Sequence, residues 1–248
     1  MPTKTAEPYD FLAEMYDDVM EHVNYVQWAS YIKTLLSSER KLQRFVDLSC
    51  GTGSLLKNLD LENTVFAGCD LSVSMLRQAV SKNIPGMDGF CCSDFTALPF
   101  RAASFDAAAA LYDSVNYLMD DTQVGRFFSE TTRILKPGGI LIFDAVTPYI
   151  CNTAFKHFQE TQYFDETTGY DRRSWYDTLE QIQYNEFILH FNENIIEELH
   201  TQRIRKIKEW EKLVKKSQLK LEAVYADFTL KPAKRKSERA HFICRKPE

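Results

Sequence analysis

Long apolar runs are missing from this 248-residue chain. No stretch approaches the length that spans a bilayer, and no hydrophobic opening segment resembles a signal peptide. A cytoplasmic protein with no membrane partner is therefore expected. Basic charge is not in excess either: 30 Lys and Arg face 35 Asp and Glu, for a net charge of −5. A general polyanion binder needs a basic footprint, so nucleic acid is not an expected partner. The six cysteines have neither metal-ligand nor thioredoxin spacing, and no metal site is expected. Several fall in predicted strands or in a glycine loop, which reads as reduced thiols. Repeats and low-complexity linkers are also absent. The length suits one α/β domain with a small elaboration.

What the chain does have is a glycine turn between a strand and a helix: Val46-Asp47-Leu48-Ser49-Cys50-Gly51-Thr52-Gly53-Ser54-Leu55-Leu56. Unpaired amides at such a turn can hold a polar ligand against a helix start. Glycine is expected there because a Cβ would keep the ligand off the backbone. A dinucleotide site reads G-x-G-x-x-G, with a third glycine for close packing. Leu56 stands at that third position, and no basic side chain precedes Lys57. A nicotinamide-dependent oxidoreductase is thus the weaker of two readings.

Two acids follow at strand ends. Val65-Phe66-Ala67-Gly68-Cys69-Asp70 reads as a second strand, with Asp70 placed 17 residues after Gly53. That is near the interval of about 20 at which a carboxylate meets ribose hydroxyls. Ser72 is a plausible N-cap of the next helix, and Met75 on it reads as cofactor contact or as core. Gly89-Phe90-Cys91-Cys92-Ser93-Asp94-Phe95 reads as a third strand, with Asp94 either a ligand acceptor or a turn residue. Phe105 to Leu111 gives a fourth strand, and Arg133-Ile134-Leu135-Lys136-Pro137-Gly138-Gly139 ends a helix before a fifth.

The order D-x-S-x-G-x-G, D-x-S-x-x-M-L, L-P-F…S-F-D and R-x-L-K-P-G-G over about residues 45–145 resembles class I S-adenosylmethionine-dependent methyltransferases. The resemblance implies a Rossmann-like, doubly wound, seven-stranded and mostly parallel sheet, with N-terminal lid helices and an antiparallel β insertion. It implies S-adenosyl-L-methionine as cofactor and S-adenosyl-L-homocysteine as product. The glycine loop would take the amino-acid end of the cofactor, Asp70 the ribose, and Asp94 with the Phe95 amide the adenine. Cofactor contacts are then implied for Tyr16, Ser49, Gly51, Gly53, Asp70, Leu71, Met75, Asp94, Phe95 and Leu111. Tyr16 comes from an A-x-x-Y-D opening in which the phenol reaches the cofactor carboxylate, with Tyr9 as a second choice. Helix-face packing is the plain alternative for both.

Residues 1–40 read as lid helices over 9–20 and 25–36, and residues 41–146 as the cofactor-binding core. Residues 147–205 read as an antiparallel substrate roof, and 206–248 as the last helix and a closing strand pair. In an open α/β sheet the second ligand binds at the strands' carboxyl ends. Tyr112 and Asp113 are the local candidates for orienting a small-molecule substrate or taking its proton, and His200 is a remote one. An N-cap role is the alternative for Asp113. Exposed strand positions are the alternative for His200 and Arg203. The sequence shows no catalytic triad, and a methyltransferase needs none, because alignment and water exclusion do most of the work. A protein that binds the cofactor without turnover would carry the same motifs.

Overall fold

The computed structural model describes residues 3–37, 39 and 42–248. The expected division at residues 40/41 falls outside the described residues. The first half runs β1 (Lys4–Ala6), α1 (Leu12–Val19), α2 (Tyr25–Leu35), β2 (Arg44–Asp47), α3 (Ser54–Asn58), β3 (Val65–Asp70), α4 (Val73–Ser81), β4 (Met87–Cys92) and β5 (Phe105–Ala110). A single 3-10 turn, Ser114–Tyr117, precedes α5 (Asp121–Ile134), β6 (Leu135–Val146) and α6 (Pro148–Thr153). Then come β7 (His157–Tyr163), β8 (Thr168–Asp177), β9 (Ile182–Phe191), β10 (Asn194–Arg203), α7 (Ile207–Lys216), β11 (Lys220–Ala226) and β12 (Arg239–Arg245).

The core sheet has seven strands in the order β11-β12-β6-β5-β2-β3-β4. Pairs among β2 to β6 are parallel, and β12 runs antiparallel to both β6 and β11. From β2 the chain builds outward to β3 and β4, then returns to place β5 on the other side of β2. That reversal is a topological switch point, and a crevice opens where the β2 and β5 loops diverge. Strand β6 shows why the sheet needs helices on both faces. Leu141, Phe143 and Ala145 join one core cluster while Ile140 and Ile142 join the other. Phe143 stacks on Phe242 at 4.6 Å, with Trp210 of α7 at 5.5 Å from Phe143. Ala107 to Ala110 of β5 are all fully buried, so alanine's weak strand preference is overridden by packing on both faces.

The helices begin where the side chains say. Ser72 accepts from the Met75 amide at the start of α4, and Asn24 from Gln27 at the start of α2. Asp120 and Gln123 form a reciprocal capping box on α5. One expectation is corrected here. Helix α5 stops at Ile134, before Pro137-Gly138-Gly139, and these residues instead form an irregularity inside β6 opposite β5. Gly138 sits at φ +73, and a Cβ on Gly139 would lie 2.8 Å from the Lys136 carbonyl.

The roof is a five-stranded sheet in the order β1-β10-β9-β8-β7. Its four later strands are antiparallel, as expected. Strand β1 was not expected; it adds in parallel to β10, with Lys4 opposite Ile196. The N-terminal region is therefore part of the roof and not helices alone. Tyr9 is outside α1, in a turn at φ +66. Leu12, Met15 and Val19 of α1 pack on Tyr170, Phe187 and Leu189 of the roof. The lid and the roof are one layered unit set over the switch point.

Candidate functional site

The glycine loop leaves β2 after Asp47. The Asp47 carboxylate accepts from the Ser49 amide at 3.0 Å, and the Gly51 amide donates to Asp70 at 2.8 Å. Both glycines have positive φ, but for different purposes. A Cβ on Gly51 would meet nothing within 4 Å, so that side of the loop is open. A Cβ on Gly53 would lie 2.7 Å from Ile84 Cδ1 and 3.3 Å from Ala79 Cβ. At Gly51 the positive φ alone asks for glycine, whereas at Gly53 packing against α4 and its following turn asks for it as well. The Ser49 hydroxyl accepts from the Leu111 amide at 3.1 Å and from the Ser114 hydroxyl at 2.9 Å. This stitches the β2 loop to the β5 loop across the switch point.

Asp70 accepts from Gly51 with one oxygen and from the Ser72 amide with the other. An ionised carboxylate has about four acceptor sites, so capacity remains for two further donors. Burial pushes its pKa up despite these amide bonds. Burial, reinforced by Asp70 and Asp144, takes Asp47 to about 7 against the opposing Ser49 amide. Met75 is buried, whereas Leu71 is 70% exposed. Asp94 is exposed and accepts from the Thr96 amide in a local turn, and Phe95 packs on Phe127 at 5.6 Å.

After β5 the backbone is strained. Tyr112 and Asp113 lie at φ +59 and +52, a region that aspartate tolerates but a bulky tyrosine enters at a cost. One fully buried carboxylate holds them there. Asp144, at the end region of β6, accepts from the Tyr112 amide at 2.7 Å and from the Asp113 amide at 3.0 Å, and pairs with Arg239. Arg239 also pairs with Asp113 at 2.8 Å and lies over the rings of Trp28 and Tyr112. The second oxygen of Asp113 accepts from Gln202 at 2.8 Å. Asp113 occupies the N-cap position of the 3-10 turn without making a side-chain cap bond. Burial raises the pKa of both acids, and Arg239 opposes that rise.

His200 is only 2% exposed, which corrects the expectation of an exposed strand position. Its Nδ1 is 2.9 Å from the Tyr117 hydroxyl, which is 2.7 Å from the Tyr9 hydroxyl. Its Nε2 is 3.3 Å from Glu198, a residue with no exposed surface. Glu198 also accepts from the amides of Tyr9, Phe11 and Leu12 at 2.7, 2.7 and 3.0 Å. The roof carboxylate therefore caps the lid helix from a distance. Arg203 turns away to the Glu180 carbonyl and Gln181.

A second latch holds α1 over the glycine loop. Asp17 accepts from Thr52 at 2.6 Å and from Ser54 at 3.1 Å, and pairs with Lys82 at 2.5 Å. Beneath it lies a cavity of about 60 Å³ that gathers Tyr16, Asp47, Ser49, Gly51, Leu111 and Tyr112, closed by Tyr25 and Trp28. A larger hollow of about 540 Å³ runs along β7 and β8 and includes none of these residues. It carries no switch-point chemistry. Sequence reasoning missed Asp47, Glu198, Asp144 and Arg239 as site residues. Asp47 and Asp144 were signalled as acids at or near the ends of core strands and Glu198 by its place two residues before His200 on the same strand face, whereas Arg239 had no local signal.

A family model described as a methyltransferase domain matches residues 46–143. The chain is 32% identical over 245 residues to the putative methyltransferase YqeM of Bacillus subtilis, covering 96% of this chain and 97% of that one. A crystal structure of an S-adenosylmethionine-dependent methyltransferase from Clostridium acetobutylicum superposes with a TM-score of 0.80. It is 25% identical, with 95% of this chain and 98% of that chain covered. CalS10 with bound S-adenosylmethionine, an amino pentose methyltransferase from Micromonospora echinaspora, shares the fold at a TM-score of 0.71 and 17% identity. Coverage there is 95% and 97%.

The Glu198 cluster makes a stability prediction. Burial would raise the Glu198 pKa, but His200 and the Leu12, Phe11 and Tyr9 amides outweigh it and hold it below 4.5. Its stabilising effect is therefore complete above pH 4.5 and lost as pH falls through the depressed folded value. Glu198→Gln should cost about 1.5–3 kcal/mol at pH 7, the usual worth of hydrogen bonds to a charged group. Urea denaturation should show that cost shrinking below pH 4.5. Hydrogen exchange should show faster exchange in residues 9–12.

Proposed function

The chain belongs to the class I S-adenosylmethionine-dependent methyltransferases, and from that premise we propose that it methylates a small polar molecule at an oxygen or nitrogen atom. The acceptor is held between the β5 turn and the roof, and a buried relay removes its proton. The oxidoreductase alternative falls with the family assignment.

The residues present fit the cofactor. Gly51 leaves room above the loop, and the cavity wall offers Ser49, Tyr16 and the Asp47 carboxylate to an amino-acid tail. Asp70 retains acceptor capacity for vicinal hydroxyls. Met75 and Leu71 would border the adenosine, with Asp94 and the Phe95 amide serving the adenine; Gly53 sets the loop against α4, and Leu111 lines the β5 side of the cavity. The cavity is smaller than the roughly 300 Å³ at which ligand pockets begin. The α1 lid and the Tyr9 turn must therefore move to admit the cofactor, as gating elements do.

When bound, the cofactor's sulfonium supplies an activated methyl group. The chain's part is to align the acceptor, exclude water and take a proton. Glu198 can only accept when ionised, so it fixes the His200 proton on Nε2 and leaves Nδ1 as an acceptor. Tyr117 then donates to Nδ1, and Tyr9 donates to Tyr117. The Tyr9 oxygen is left as the acceptor at the head of the chain. Burial raises both phenol pKa values, Tyr9 well above its ordinary value, so each phenol passes a proton on and does not rest as phenolate. As the acceptor's proton reaches Tyr9, one proton moves down each link and His200 becomes imidazolium beside Glu198. Asp113 is held by Arg239 and Gln202. Protonating it would break a buried ion pair, so its role in this reading is to place Arg239 and Tyr112 around the acceptor.

The observation that carries this reading is the unbroken Glu198–His200–Tyr117–Tyr9 chain ending beside the switch point. A small acceptor is further supported by the enclosed roof and the chain's net negative charge. Two structural neighbours described as an amino pentose and a sugar N-methyltransferase point the same way. The direct test is methyl transfer from radiolabelled S-adenosylmethionine to a panel of polar amines and alcohols. Once an acceptor is found, His200→Gln should lower kcat by about 10²–10⁴-fold, the range for general-base loss. Affinity for S-adenosylhomocysteine should stay the same. Transfer to no small acceptor would favour a cofactor-binding module, and an unchanged kcat would remove His200 from the mechanism.

Asp47 generates a pH prediction. Its free-state value of about 7 falls when a ligand ammonium arrives beside it, so binding favours the ionised form. Calorimetric affinity for S-adenosylhomocysteine should rise from pH 5.5 toward pH 7 and level off above it, with the slope abolished in Asp47→Asn. An identical slope in that variant would exclude Asp47 as the cause.

A further inference from the structure

The inner face of the roof carries an arginine whose charge meets no acid among the described residues. Arg172 lies on β8 between buried Tyr170 and Ser174, while its neighbour Arg173 is exposed on the outer face. Its Nη2 donates to the Asn185 carbonyl oxygen at 3.0 Å, and the same oxygen accepts from Ser174 at 2.5 Å. The guanidinium rests over the rings of Phe158 and Phe187, at 5.4 and 5.3 Å. Its Nε is buried and has no hydrogen-bond partner among the described residues. Other arginines that meet the protein interior, such as Arg239, Arg205 and Arg133, each have a carboxylate. Arg172 has none within ion-pair distance among the described residues. Glu160 is its cross-strand partner but turns its carboxylate to the Tyr170 phenol.

An unpartnered buried donor on a charged group is costly, and a buried water would satisfy the donor without balancing the charge. The arrangement looks instead like a prepared fork. Asn185 and the two rings fix the guanidinium plane and leave the enclosed Nε–H unpaired, a donor that a planar or tetrahedral anion would satisfy together with the charge. The Phe187 ring beneath the guanidinium also lies against His200, at 5.4 Å between ring centres, which sets Arg172 beside the proton relay; its charge accordingly acts to lower the pKa of the Tyr112 and Tyr117 phenols. We propose that Arg172 is the anchor for an anionic group, a carboxylate or a phosphate, carried by the methyl acceptor. This rests on the reading of a small acceptor beneath the roof. It narrows that acceptor to a polar nucleophile with a negatively charged end. The anion is seated on β8 while the nucleophile reaches the relay.

The test is made on the intact protein saturated with S-adenosylhomocysteine and labelled with ¹⁵N. The Arg172 Nε–H resonance, identified by its loss in Arg172→Lys, is followed during titration with sodium phosphate and then with sodium acetate at constant ionic strength. The expected result is a saturable shift at millimolar anion, with the Arg173 signal moving less than a tenth as far. Saturation with phosphate alone assigns a phosphate ester. Saturation with acetate, alone or with phosphate, assigns a carboxylate or an open choice between the two anions. A shift that fails to saturate with either anion, or that Arg173 matches, overturns the proposal. The readout requires no turnover, so a failure to find a methyl acceptor and a failure of this site are separate results.

Discussion

Glu198 is a carboxylate with no exposed surface on the inner face of a β-strand, and a buried charge must be met by donors. Three of those donors are backbone amides from the segment that enters α1, and the fourth is His200. That single requirement fixes where the N-terminal segment crosses the roof. It sets Tyr9 against His200 at 4.6 Å between ring centres, and it orients the imidazole toward Tyr117. The lid position and the hydrogen-bonded chain from His200 to Tyr9 are both tied to one buried acid.

The two sheets divide the labour. The parallel sheet, through its switch point, builds the cofactor side from loop amides and strand-end acids. In the proposed reading the roof supplies the acceptor side from inward-facing polar residues on β8 and β10. The joint between them is Arg239, which enters from β12 and is shared by Asp113 of the β5 turn and Asp144 of β6. Its cost is two residues held at positive φ, and such strain gathers where a turn must aim side chains at a ligand. The β5 turn and β6 are thus tied to β12 by a buried ion network.

Local chemistry was legible in the sequence. The Gly51 turn, the Ser72 cap, the strand-end acids and the antiparallel character of the roof each depend on neighbours a few residues apart. What the sequence hid depends on distant partners. Strand β1 is three residues long and exists because β10 offers an edge. The burial of His200 depends on Tyr9 and Tyr117 arriving from other elements. The packing of Gly53 against Ile84 was hidden because a turn pattern cannot show a residue that arrives from beyond α4. The end of α5 was misplaced because a Pro-Gly-Gly signal marks an interrupted strand as readily as a helix stop. Arg172 looked like any strand arginine until its face of the sheet was known.

The central claim is that Glu198 makes His200 a proton acceptor directed at the site. The ¹⁵N chemical shifts of the His200 ring, measured at pH 8 with S-adenosylhomocysteine bound, test it most directly. The account predicts a proton on Nε2 and a bare Nδ1 coupled to the Tyr117 hydroxyl. A proton on Nδ1 would make His200 a donor to Tyr117, reverse the direction of the chain, and contradict the account.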